Sequence, residues 1–162
     1  MNLICNLFFS FVLFFNLFSN AQIYVPQFTD IKSLISTKII NSNKQIEGFI
    51  YKFDDKDILN DFINIGEKGV KINLICDENA YDMAKQLKDY GNITLFKDPN
   101  NRFDKLHAKG LLFDDEELLV GSFNLDKTTF STNYEIIAQL NENKYINDFK
   151  NKFIFLTEYL NR

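Results

Sequence analysis

The sequence predicts an α/β fold, a mixed β-sheet flanked by helices. Three observations lead there. Apolar runs such as Val70 to Cys76 alternate with segments whose apolar residues recur at helical spacing. Through the first half the order is strand, helix, strand, helix, which favours parallel pairing. In the second half the strands follow closely, and two are joined by Asp114-Asp115-Glu116-Glu117, a connection suited to an antiparallel hairpin.

Ile23 to Val25 reads as a short strand closed by Pro26. Thr29-Asp30 supplies an N-cap before Ile31, Leu34, Ile35, Ile39 and Ile40, whose spacing is helical. Gln45 to Phe53 is a strand, Asp54 to Ile65 a helix ending near Gly69, and Val70 to Cys76 a buried strand. A helix from about Glu78 to Tyr90 stops at Gly91, read as its C′ residue. Ile93 to Phe96 is strand-like and Asp98-Pro99-Asn100-Asn101 a turn. Leu106 to Phe113, Leu118 to Phe123 and Tyr134 to Leu140 are strands, and a helix over Tyr145 to Leu160 closes the chain. Without an internal repeat or linker, residues 22–162 are expected to form one domain.

Of the 162 residues, 46% are hydrophobic and 25% charged, which excludes a disordered chain. A formal net charge of -4 argues against a surface that grips nucleic acid all over, but leaves room for a local basic cleft. Lys97, Arg102, Lys105 and Lys109 cluster together, partly offset by Asp98 and Asp104. A solvated loop of mixed charge and a phosphate-attracting rim both fit that run.

Residues 1–21 stand apart. Leu3 to Phe18 is almost entirely apolar, no charged side chain precedes Asp30, and Ser19-Asn20-Ala21 offers small residues where signal peptidase reads. The segment is expected to be a signal peptide cleaved before Gln22, making the protein exported, or an uncleaved membrane anchor. Cys5 would leave with the signal, and Cys76 falls in a buried strand, so neither a disulfide framework nor a Cys/His zinc site is expected.

The chemistry concentrates in His107-Ala108-Lys109, with Asp114 after four residues and Gly121-Ser122-Phe123-Asn124 after six more. On a strand, residues i and i+2 share a face, so His107 and Lys109 project together. The hairpin turns the chain and brings Ser122 and Asn124 back. An imidazole, an ammonium, a hydroxyl and an amide in one place suit the attack on a phosphodiester, with His107 as nucleophile or base and Lys109 and Asn124 holding the phosphoryl oxygens. Gly121 lets substrate or a neighbouring backbone come close.

Together these residues resemble the HxKxxxxDxxxxxxGSxN motif of the phospholipase D superfamily, with every fixed position filled. Gly69-Val70-Lys71-Ile72-Asn73-Leu74-Ile75-Cys76-Asp77 is similar to the segment ahead of the family's motif, and Asn133-Tyr134-Glu135 to the one that carries a Glu facing the catalytic His. The resemblance implies the phospholipase D-like fold with one motif per chain. It implies a two-step displacement through a phosphohistidine, in which a second His protonates the leaving oxygen. His107 is the only histidine, so the resemblance further implies a homodimer sharing one site. In that scheme Ser122 assists with the phosphate, Glu135 orients His107, and Asp114, counted with the catalytic residues, helps fix the motif from its strand end.

No cofactor or metal is expected; four consecutive acids at a hairpin tip read as a solvated turn and not as a cation site. The expected substrate is a phosphodiester, either a phospholipid or nucleic acid, with membrane contact possible through residues 1–21. Phospholipase D-like hydrolysis is the first reading and a nonspecific, metal-independent endonuclease the second. The third is a phosphate- or membrane-binding module without turnover.

Overall fold

The computed structural model describes residues 21–161. Seven strands form one sheet: β1 (Gln22–Tyr24), β2 (Gln45–Ile50), β3 (Lys71–Cys76), β4 (Ile93–Leu95), β5 (Gly110–Phe113), β6 (Glu117–Gly121) and β7 (Ile137–Leu140), in the order β1-β7-β6-β5-β2-β3-β4. β2, β3 and β4 run parallel, and every other neighbouring pair is antiparallel. The expected mixed sheet is therefore present. The expected N-terminal signal or anchor lies outside the described residues. Among those residues, no helix is long and apolar enough to cross a membrane.

Strand alternation divides the core. Ile72 and Leu74 of β3, with Leu111 of β5, join one apolar cluster; Ile75 and Leu112 join the other. The first cluster takes in Ile31, Ile35 and Ile39 of α1 (Ile31–Ile40) and Ile58, Phe62 and Ile65 of α2 (Lys56–Gly66). It also takes in Ala80 and Ala84 of α3 (Glu78–Ala84), which continues as a 3-10 turn over Lys85–Tyr90. Beside them lies α4 (Lys127–Ser131), which the sequence reading missed because five residues are too few to show a period. The second cluster lies under Ile146, Phe149 and Phe153 of α5 (Asn143–Leu160).

The largest departures from expectation are at the element ends. Gly91 is no left-handed C′ residue: its φ is 165°, extended, and a Cβ there would sit 1.9 Å from the Ile72 carbonyl oxygen. The ladder of β5 begins at Gly110 rather than Leu106, whose N–H is taken by the Asp77 carboxylate at 2.9 Å. β2 stops at Ile50, β6 at Gly121, and β7 starts only at Ile137.

Direction within the sheet decides where the loops gather. β2, β3 and β6 run toward one edge, ending at Ile50, Cys76 and Gly121, while β5 and β7 start from that edge at Gly110 and Ile137. Everything just after the first three or just before the last two meets there. The hairpin 114–116 lies at the opposite edge.

Candidate active site

Five segments converge on the first edge: Tyr51 after β2, Asp77 after β3, His107 to Lys109 before β5, Ser122 to Asn124 after β6, and Glu135 before β7. Backbone bonds lock the first to the fourth. Leu125 N–H donates to Lys52 O at 3.0 Å, Asp54 N–H to Leu125 O at 3.0 Å, and Phe53 bridges Leu125. Asp77, 2% exposed, uses one oxygen to cap α3 and the other to hold Leu106, the residue before His107.

His107 is exposed, and its ring lies 4.3 Å from that of Tyr51, with the planes 62° apart. Lys109, partly buried, donates from Nζ to the His107 carbonyl oxygen at 2.9 Å and stands 4.5 Å from the centre of the Tyr51 ring. Burial pulls the Lys109 ammonium below the usual lysine range, against the opposing pull of the Glu135 and Asp77 carboxylates. Tyr51 went unnoticed in the sequence because a lone aromatic at the end of a strand has no spacing signature.

Glu135 is buried at 5% exposure and takes neutral donors: the Ser122 hydroxyl on Oε2, and Asn133 Nδ2 at 3.0 Å with the Thr129 hydroxyl at 3.5 Å on Oε1. The resemblance set Glu135 facing His107, but no hydrogen bond joins them among the described residues. Ser122 Oγ also accepts from Ile136 N at 3.1 Å. Gly121 serves this seam: a Cβ would come 2.1 Å from Ile136 O, so its bare Cα admits the neighbouring backbone. Asn124 donates its backbone N–H to Thr129 Oγ1 at 3.0 Å, and its buried Oδ1 has no hydrogen-bond partner among the described residues. Behind it, Asp126 caps α4 and pairs with Lys52 at 2.9 Å.

Asp114, expected to help fix the motif from its strand end, stands apart from the other motif residues. It lies at the far edge of the sheet, where its carboxylate accepts from the backbone N–H groups of Asn43, Lys44 and Gln45 at 2.8, 2.8 and 3.1 Å. Asp114 and Asp115 both have positive φ, 56° and 63°, as the tight turn demands. The other three acids are tied to separate cations, Asp115 to Lys150, Glu116 to Lys44 and Glu117 to Lys38. The run thus makes three separate ion pairs and one set of backbone bonds at the turn. The loop before His107 is braced as well. Asp98 accepts from the N–H groups of Asn100, Arg102 and Phe103 and from the Tyr159 hydroxyl.

The family model for the cardiolipin synthase, PLD-like domain matches residues 35–156. The chain belongs to that family. Over 48 residues this PLD-like domain is 44% identical to cardiolipin synthase 1 of Bacillus anthracis, a stretch that is 30% of this chain and 9% of that protein. Thus only a small part of the curated relative's length is represented. Among solved structures, NucT from Helicobacter pylori superposes with a TM-score of 0.72 at 19% identity, over 86% of this chain and 96% of that one. The phospholipase D family member Nuc from Salmonella typhimurium does so with a TM-score of 0.70 at 20% identity, over 86% and 94%. At such identities the likeness shows a shared fold.

Proposed function

We propose that the chain is a phospholipase D-like phosphodiesterase that attacks phosphorus with His107 in a site completed by a second copy. The observation that carries this reading is the meeting of His107, Lys109, Ser122 and Asn124 at one sheet edge, with the imidazole open to solvent. The His107 nitrogen attacks phosphorus and the P–O bond to the leaving group breaks. The leaving oxygen takes a proton from His107 of the second copy. That imidazole, now neutral, takes a proton from water, and the hydroxide displaces His107 to release a phosphomonoester. Lys109 neutralises the phosphoryl oxygens, Asn124 donates hydrogen bonds to them from its NH₂, and Glu135 acts through Ser122. Tyr134 and Ile136, 73% and 55% exposed on either side of Glu135, supply apolar surface for the second copy.

The identity to a cardiolipin synthase supports a phospholipid diester as substrate. A second reading, endonuclease action, is favoured by one feature: exposed Arg102, Phe103 and Lys105 stand just before His107, and stacking aromatics among cations suit single strands. Side-by-side hydrolysis of phosphatidylcholine, plasmid DNA and RNA separates the two. Export or anchoring through residues 1–21 belongs to the same proposal, and N-terminal sequencing of the purified protein tests it.

The shared site is tested by co-expressing two differently tagged chains, one carrying His107→Ala, and assaying the doubly tagged species. A shared site leaves the mixed dimer nearly inactive. Half of the wild-type activity, or full activity in a monomer, would sink the shared-site mechanism.

A further inference from the structure

Two of the proposed catalytic groups touch the same aromatic ring, and that ring lies outside the motif. We infer that Tyr51 is a positioning residue that sets the Lys109 ammonium and the His107 imidazole at a fixed separation for one phosphoryl group; this rests on the phosphodiesterase reading. The centre of the ring sits 4.3 Å from that of the imidazole and 4.5 Å from Nζ. His107 is exposed and has no hydrogen bond to Glu135, so Tyr51 is the ring contact that orients it. Lys109 has three donors and spends one on the His107 carbonyl at 2.9 Å, leaving two for phosphoryl oxygens. Partial burial disfavours its charge, and the electron-rich face of Tyr51 offsets that cost without competing for a proton, as a carboxylate would. Tyr51 is itself held in place, since the residues after it are bonded to Leu125 in the segment that carries Asn124. The ring therefore ties His107 and Lys109 to a strand end whose backbone is bonded to the segment that carries Asn124.

NMR reads this directly, because His107 gives the only imidazole signals in the protein. In the wild type, the Lys109 Hε protons should move upfield and show cross-peaks to the Tyr51 ring. Tyr51→Phe keeps both effects, while Tyr51→Leu loses them and shifts the His107 signals, with the rest of the spectrum unchanged. Inorganic phosphate is the binding probe. Its affinity, read on the His107 and Lys109 signals, should fall about tenfold in Tyr51→Leu and stay within about threefold in Tyr51→Phe. With bis-p-nitrophenyl phosphate, Tyr51→Leu should lose roughly 10- to 100-fold in kcat with little change in KM, and Tyr51→Phe should restore it. If wild-type protein binds phosphate as described but hydrolyses no diester, the proposed function falls and the positioning role stands. If Tyr51→Leu keeps wild-type phosphate affinity and kcat, the inference is overturned. Should Tyr51→Leu not fold, wild-type spectra without Lys109–Tyr51 cross-peaks overturn it equally.

Discussion

Asp114 shows how a motif residue can serve the fold from the end of the sheet opposite the candidate site. Its side chain satisfies three successive backbone N–H groups just before and at the start of β2, while its own backbone makes the turn between β5 and β6. Asp114→Ala leaves those donors to water and is expected to cost roughly 1–3 kcal/mol of stability, with turnover of the folded protein nearly unchanged. Thermal melting alongside kcat checks this, and lost turnover at an unchanged Tm would restore Asp114 to the catalytic set. Cys76 offers a second test at the same scale. Burial pushes its thiol up to about 12, so it should stay unreactive to a thiol reagent at pH 8 until the chain unfolds.

Among the elements, the helix starts matter most, because α1, α2, α3 and α4 are all capped by an aspartate: Asp30, Asp55, Asp77 and Asp126. Three of these carboxyls lie below their ordinary value. Asp30 is lowered by the Ser33 N–H. For Asp55 and Asp126 burial pushes upward, and Lys32 and Lys52 respectively outweigh it, together with the N–H groups at the helix start. A folded-state value below the unfolded one means that the caps contribute fully above the ordinary 3.8. That contribution is lost as pH falls through the depressed values. The Tm should therefore hold through mildly acidic pH and drop below about 4; a Tm that falls steadily from pH 7 would show that other groups dominate. The Asp126 cap reaches the site, since Thr129 and Asn133 on and after α4 bond Glu135. Asp126→Ala should cost roughly 1–2 kcal/mol and lower kcat, while Asp126→Asn, still a capping side chain, should keep more of both.

For the whole molecule the sharpest prediction concerns chelation. Among the described residues no three His, Cys, Asp or Glu side chains group so as to hold a metal ion. Of the hairpin acids, Asp115, Glu116 and Glu117 each have a separate cationic partner, while Asp114 takes backbone N–H groups. In the proposed mechanism the electrophilic help comes from Lys109 and Asn124. Hydrolysis should then survive excess EDTA. Complete loss restored by Mg²⁺ or Zn²⁺ would show that the carboxylates act through a cation and that the proposed mechanism fails.

What could be read from the sequence was whatever depends on neighbours in the chain. Alternation predicted the mixed sheet, Asp30 marked the start of α1, and the spacing from His107 to Asn124 gathered a motif whose family the domain match supports. Strand direction even foretold that His107 and Asn124 would share an edge. Contacts between segments distant in the chain left no such trace. The bond from Asp77 to Leu106 delays the start of β5, and the packing of Gly91 against Ile72 outweighs helix capping. Tyr51 meets His107 across more than fifty residues of chain. Local pattern thus determined which elements form and which residues hold chemistry. Only the tertiary structure decided which of them touch, because contact depends on sheet order and direction, which no short stretch of sequence contains.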